Sequence, residues 1–201
     1  MFGLFVIASI CSIHSADAHG YMTSPRSRQF VAHATQEGKW SPTGNANLDQ
    51  ITPSAESCPH CANRQAVING VVGTCGLTSS GYSYDSPKNV LGGTLPPKIQ
   101  ATYVQGQQVD LQVILTKHHK GHFTYKACAL KTGETNATQQ CFDSIPLIFV
   151  QDHLYGALKD PNYPDRAYIP LETYPGLQKG GNPYGIKYSH RFSLPPNLAV
   201  Y

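Results

Sequence analysis

The sequence predicts an all-β fold, an antiparallel sandwich of the immunoglobulin or fibronectin type III kind with long loops. Glycine and proline, 18 and 15 of the 201 residues, interrupt the chain as they do where turns join short strands. Several stretches alternate apolar with polar residues, which is the pattern of half-buried strands. Only 13% of the residues are charged, which excludes a charged disordered chain, a coiled coil and a solvated helical array.

The first 18 residues have the features of a secretory signal peptide. An apolar run at residues 2–10 is followed by a polar stretch that ends in Ala16-Asp17-Ala18, a small-residue cleavage triplet. The run is much shorter than the roughly 20 residues that cross a bilayer, so no membrane span is expected. The sequence therefore predicts a leader at residues 1–18 and a secreted, extracellular domain at residues 19–201 that begins with His19.

The mature chain carries an odd number of cysteines, which are Cys58, Cys61, Cys75, Cys128 and Cys141. Cysteines in an oxidising compartment are expected to pair, and an odd count leaves one over. The last two are close enough in sequence to bridge adjacent segments, although spacing alone does not determine the pairing. Asn136 begins an Asn-Ala-Thr sequence, which predicts glycosylation of an exposed loop in a eukaryotic host.

The strands are expected in the second half of the chain. Residues 19–95 have little periodicity and predict loops with a short helix at 62–67. Strands are predicted at residues 99–103, 109–115, 122–130, 146–150 and 187–194. Residues 160–183, rich in proline, tyrosine and glycine, predict a long surface loop. The sequence stops just as an apolar segment begins at residues 198–201, so we expect a domain that is truncated and lacks its last strand.

The residues best suited to chemistry are His19 and the histidine-rich turn at residues 116–123. An N-terminal histidine offers its α-amine and Nδ1 to one metal ion, and a second histidine from the turn would complete a three-nitrogen site. Such a planar nitrogen set suits Cu(II), which also heads the affinity order of divalent first-row ions. The amine must lose a proton near neutral pH, so binding should strengthen as the pH rises through that range.

Two motifs resemble those of the copper-dependent lytic polysaccharide monooxygenases, especially the branch found in insects, algae and oomycetes. They are His19-Gly20-Tyr21 followed by Pro25 and Arg26, and Thr116-x-x-His119-x-Gly121-x-Phe123. Cys128 lies where that branch has a cysteine a few residues after the second motif. The branch usually has an asparagine where this chain has His118. Its last strand normally supplies an aromatic residue beside the copper and a final cysteine, and neither is present here.

The resemblance implies that copper is the cofactor and that His19 and His119 are the metal ligands and the catalytic residues. It implies oxidative cleavage of an insoluble β-linked polysaccharide, chitin or cellulose, by hydroxylation at C1 or C4. An external electron donor and O2 or H2O2 would be required. Tyr21 is a candidate for stacking on the polymer. We expect His118 to be solvent-exposed rather than buried beside a ligand, and we expect the protein to be a monomer.

Other functions have weaker support in the sequence. A non-catalytic polysaccharide-binding or copper-carrying module on the same sandwich is the alternative hypothesis. Cys58-Pro59-His60-Cys61 is similar to the redox motif of thioredoxin-class oxidases, but no buried strand precedes it. The same cysteines with Cys75 could also bind zinc, although disulfides are commoner in secreted chains. There is no nucleophile elbow of a serine hydrolase, and a net charge of +3 with scattered cations does not predict nucleic-acid binding.

Overall fold

The structure is a computed structural model that describes residues 20–33, 67–68, 71–72, 74–77, 83–85, 93–94, 98–131, 134, 137–177 and 185–198. The predicted signal peptide, His19, and all but the last residue of the predicted helix at 62–67 lie outside these residues; Val67 itself is in a strand, not in a helix. Within them, no helix has the length and apolar character needed to span a membrane.

The described elements are mostly strands, with two short helices. In chain order they are β1 (Gly20–Ser24), α1 (Arg28–His33), β2 (Val67–Ile68), β3 (Val71–Val72), β4 (Gln108–Leu115), β5 (His122–Phe123), α2 (Gln139–Asp143), β6 (Ile148–Asp152), β7 (Ala167–Tyr168) and β8 (Ile186–Ser193). The main sheet has the order β1-β4-β8-β6, and every neighbouring pair in it is antiparallel. Two further sheets pair β2 with β3 and β5 with β7.

The alternating sequence of β4 fixes which face of the main sheet is buried. Side chains on a strand point to opposite faces in turn, so every second residue shares a face. In β4 this apolar set is Val109, Leu111, Val113 and Leu115, all of which are buried. Their partners on β8 are Phe192, His190, Tyr188 and Ile186, in that order. The result is one continuous inner face that is aliphatic on β4 and mostly aromatic on β8.

A second layer covers this inner face. The residues that pack against it come from β5, β7 and the segments that follow β5, β6 and β7: Phe123, Tyr125, Ala127, Tyr155, Ala167 and Ile169. The rings of Tyr125 and Phe192 meet edge to face, with 4.8 Å between their centroids. Two layers of antiparallel strands with a shared core confirm the predicted all-β sandwich.

Three predicted strands agree with the structure and two do not. The predictions at residues 109–115 and 187–194 are confirmed by β4 and β8, and the one at 146–150 is confirmed by β6, which begins two residues later. The strand predicted at 99–103 is wrong, since Ile99 is 80% exposed and no residue of this stretch is in a strand. The strand predicted at 122–130 ends at Phe123, and only an isolated bridge between Lys126 and Pro146 follows.

The loop predicted at residues 160–183 is correct where it is described, except for the two residues of β7. Residues 178–183 lie outside the described part of the chain. Internal turns such as Tyr174 N–H to the Leu171 carbonyl, 2.9 Å, give the loop a defined course.

Candidate functional site

The candidate site lies at one end of the main sheet, where β1 begins and β4 ends. Gly20, the first residue of β1, is paired with Leu115, the last residue of β4. On the other side of β4, Leu115 is paired with Ile186 at the start of β8. The turn that carries His119 follows Leu115 directly. The register therefore brings the start of β1 and this turn to the same end of the sheet.

The close approach of β1 to the end of β4 requires glycine at position 20. A Cβ atom there would lie 2.6 Å from Leu115 Cδ2 and 2.8 Å from the carbonyl oxygen of Ile114. Gly185, on the opposite side, would place a Cβ atom against the backbone carbonyl of Leu115. Since neither contact can be relieved by rotating one flexible side chain, glycine on both flanks lets three strands meet closely at Leu115.

The turn after β4 is held in a defined shape by its backbone. Lys120 has a φ of 62° and Gly121 a φ of 93°, so two consecutive residues adopt left-handed conformations. Such conformations are easy for glycine and uncommon for lysine. The Gly121 carbonyl accepts a hydrogen bond of 3.0 Å from Ile169 N–H, which ties the turn to the segment after β7.

The two adjacent histidines of this turn have opposite environments. The side chain of His118 is only 3% exposed, and its Nε2 lies 2.8 Å from the carbonyl oxygen of Pro170. His119 is exposed, and its ring has no hydrogen bond to any described residue. The expectation that His118 is solvent-exposed is therefore wrong. Its ring turns inward because the loop after β7 provides a hydrogen-bond acceptor for it.

Tyr21 follows Gly20 in β1 and is half-buried. Its ring is stacked on Phe30 of α1, with 5.3 Å between the centroids and 14° between the planes. One face of Tyr21 is thus covered by the protein itself. Its predicted role in stacking on a polymer remains a prediction.

A cavity of about 430 Å³ opens next to the histidine turn. The loops after β6 and β7 form it, and its lining includes Tyr155, Tyr168, Pro170, Tyr174 and Pro175. This cavity is not predictable from sequence patterns, because its walls come from loops that are separated along the chain. The clustering of tyrosine and proline at residues 155–175 was the one signal that could have indicated it.

The structure shows one of the disulfide pairings that the sequence left open. Cys128 and Cys141 form a disulfide, with 5.1 Å between their Cα atoms, which joins the segment after β5 to α2. Cys58, Cys61 and the glycosylation candidate Asn136 lie outside the described residues. The pairing of Cys75, which is half-buried, remains a prediction.

No group of three or more histidine, cysteine or acidic side chains that could hold a metal ion occurs in the described part of the chain. The predicted copper site would draw two of its three nitrogens from His19, which is outside that part. Of the residues predicted for this site, the described part of the chain includes only His119 and the turn that carries it.

Comparisons with known proteins identify the family. The family described as lytic polysaccharide mono-oxygenase, cellulose-degrading, matches residues 19–197. The fold is similar to that of a solved structure, a lytic polysaccharide monooxygenase of type AA15 from Thermobia domestica in the Cu(I) state, at 20% identity and a TM-score of 0.50. That match covers 91% of this chain and 78% of the other. No curated protein matches at a significant level. The family match, which spans most of the sequence, shows that this chain belongs to the copper-dependent lytic polysaccharide monooxygenases, oxidoreductases that cleave polysaccharides.

Proposed function

We propose that this protein hydroxylates C1 or C4 of the glycosidic linkages in chitin or cellulose, with His19 and His119 as its copper ligands. The observation that supports this most directly is the pairing of Gly20 with Leu115, at the end of the sheet where His119 is exposed. Residue 19 is one peptide unit, about 3.8 Å, from Gly20. The proposed start of the mature chain would therefore lie close to the His119 turn.

The available donors fit copper. A free α-amine and two imidazoles supply nitrogen ligands, which Cu(II) prefers. The ring of His119 can accept a metal without losing a hydrogen bond to any described residue. Bound copper would supply the redox chemistry, with electrons from an external donor and with O2 or H2O2 as the oxidant.

The protein's own residues would bind and orient the metal and the polymer. The α-amine of residue 19 is available only after residues 1–18 have been removed, so the proposal includes a cleaved leader and secretion. Residues 19–201 would then act as one domain and as a monomer. Since the amine must be deprotonated to bind, copper affinity should rise with pH near neutrality.

The polymer would lie across the end of the sheet that carries His119. The neighbouring cavity offers tyrosine rings and prolines, and the ring of Tyr174 is 42% exposed. Aromatic and apolar surface of this kind packs against the C–H faces of pyranose rings, while the polar tip of tyrosine can bond to hydroxyls. Tyr21 in β1 would add a second aromatic contact beside the start of the chain.

The reaction is tested by incubating the mature protein, copper and ascorbate with insoluble chitin and with cellulose. Mass spectrometry should detect aldonic-acid or C4-ketone oligosaccharides from one polymer or both. The matched control keeps Ala18 before His19, which blocks the amine, and its Cu(II) affinity should fall by about a hundredfold. Copper-loaded protein that yields no oxidised product from either polymer, or equal affinity in the extended control, would contradict the proposal.

A further inference from the structure

The side chain of His118 is buried next to the exposed His119, and its ring makes one hydrogen bond to the loop after β7 and one within the turn. Its Nε2 lies 2.8 Å from the Pro170 carbonyl oxygen, and the Lys120 N–H donates to its Nδ1 over 3.3 Å. A carbonyl oxygen only accepts, so Nε2 must carry the proton, and Nδ1 is then the acceptor that Lys120 needs. One neutral tautomer therefore satisfies both contacts.

These contacts connect His119 to the loop after β7 from both sides. On the N-terminal side of His119, the ring of His118 is hydrogen-bonded to the Pro170 carbonyl. On the C-terminal side, the Gly121 carbonyl accepts a hydrogen bond from Ile169 N–H. The bonds continue the ladder in which His122 of β5 is paired with Tyr168 of β7. The backbone on either side of His119 is thus fixed to one neighbouring segment, while its ring remains exposed.

We propose that His118 is a positioning residue for the copper site. It does not bind the metal, because both of its ring nitrogens are engaged and its side chain is almost fully buried. It holds the turn so that the imidazole of His119 is already oriented before copper arrives. This inference depends on the proposed role of His119 as a ligand. Groups that orient a metal ligand in this way commonly contribute tenfold to a hundredfold to metal affinity.

Substitutions of His118 distinguish the effect of its hydrogen bonds from the effect of its side-chain volume. In His118→Gln the amide can still donate to Pro170, and in His118→Asn the amide oxygen can still accept from Lys120. His118→Leu fills the space and keeps neither bond. The matched control is Glu172→Gln, since Glu172 Oε1 is 3.6 Å from His118 Nδ1 but its side chain is 66% exposed and takes no part in either bond.

The experiment measures Cu(II) affinity by competition with a chelator and records the Cu(II) electron paramagnetic resonance spectrum of each mature variant. We expect His118→Leu to lower affinity tenfold to a hundredfold and to change the copper hyperfine splitting. His118→Gln and Glu172→Gln should remain within about threefold of the wild type and keep its spectrum. Amide hydrogen exchange at Lys120 and Ile169 should accelerate in His118→Leu and not in Glu172→Gln.

The outcomes distinguish this proposal from the proposed function. If His119→Ala binds copper as well as the wild type, the ligand assignment fails. If His119→Ala loses copper while His118→Leu keeps both affinity and spectrum, positioning by His118 is wrong. Loss of copper in His118→Gln as complete as in His119→Ala would make His118 a ligand, which also overturns the proposal. Should His118→Leu not fold, His118→Asn carries the same test, because it removes only the bond to Pro170.

Discussion

The turn at the end of the main sheet and the aromatic core beneath it each contain a buried histidine, and the two are used in opposite ways. Both ring nitrogens of His118 are hydrogen-bonded, and the bonds fix a backbone turn. His190, in the middle of β8, is fully buried, and neither of its ring nitrogens has a hydrogen-bond partner among the described residues. Burial of a histidine therefore does not by itself indicate a functional role; the partners of its nitrogens do.

The surroundings of His190 explain how an unpartnered imidazole is accommodated. Its ring packs against aromatic side chains at centroid distances of 5.1 to 6.5 Å: Phe123, Phe149, Tyr188 and Phe192. Burial lowers the pKa of His190 to about 4, although the nearby carboxylate of Asp152 opposes this shift. That carboxylate is occupied by the backbone N–H groups of Leu154, Tyr155 and Ala157. His190 is thus a neutral packing element at pH 7.

The largest expected effect is a loss of copper binding when the histidine turn, and not the core, is changed. In His119→Ala we expect Cu(II) affinity to fall by about a hundredfold or more, equivalent to ~3 kcal/mol, because one of three nitrogen donors is lost. The free energy of unfolding of the metal-free protein should change by less than about 0.5 kcal/mol, since the side chain is exposed. Chelator competition and urea unfolding measure the two quantities. The control is His122→Ala, which changes another exposed histidine and should keep wild-type affinity. A similar loss of affinity in this variant would contradict the assignment of His119 as the ligand from this turn.

The second prediction is that substitution of His190 changes the pH dependence of stability and leaves copper affinity unchanged. Its pKa in the folded state is lower than its value of about 6.5 in the unfolded chain, so the unfolded state binds more protons between pH 6.5 and 4. The wild type should therefore lose ~2 kcal/mol of stability between pH 7 and pH 5 from this group. In His190→Phe, which keeps an aromatic ring without a titrating nitrogen, this loss should disappear. Urea unfolding of metal-free protein at both pH values measures it.

The matching control for His190→Phe is His119→Ala, which leaves the core intact and should retain the wild-type loss. Copper affinity of His190→Phe should equal that of the wild type at pH 7. The contrast between the two regions would break down if His190→Phe showed the full wild-type loss of stability, or if it bound copper more weakly than the control variant His122→Ala.

Three strands of the main sheet, β4, β6 and β8, could be predicted because their burial is local in the sequence, whereas β1 lies in the stretch predicted as loops. Four apolar residues of β4, at positions 109, 111, 113 and 115, alternate and are buried on the core face, although Ile114 on the other face is buried as well. The stretch at residues 99–103 also contains apolar side chains, but no neighbouring strand pairs with it in the described residues, and Ile99 is exposed. An apolar segment forms a strand only where another strand pairs with it, and the sequence of the segment does not indicate whether such a partner exists.

The site shows the same division between local and distant information. The preference for His119 over His118 as the ligand came from motif register, and the exposed position of His119 supports it. The burial of His118 could not be predicted, because it depends on the carbonyl of Pro170, which is 52 residues away. The tyrosine-lined cavity was missed for the same reason, since its two walls meet only in the folded chain.

The smallest expected effect concerns the ion pair between Arg191 and Asp110. Arg191 follows His190 in β8, so its side chain points to the opposite face of the sheet. Arg191 donates from Nε and Nη2 to the two carboxylate oxygens of Asp110, at 2.8 and 2.9 Å, and His153 Nε2 lies 2.8 Å from Oδ1. These hydrogen bonds, chiefly that of Arg191, lower the pKa of Asp110 to about 2. Its contribution to stability is therefore present above the ordinary aspartate pKa and is lost as the pH falls toward 2.

Because the Asp110 side chain is 46% exposed, solvent screens its ion pairs and Asp110→Asn should cost less than about 1 kcal/mol at pH 7. The difference between Asp110→Asn and the wild type should vanish only below pH 4, whereas that between His190→Phe and the wild type develops between pH 6.5 and 4. Unfolding free energies at pH 7, 5 and 3 resolve the two windows. His190 of β8 and Asp110 of β4 would then titrate separately because their side chains lie on opposite faces of the sheet, and a single shared window for both variants would contradict that separation.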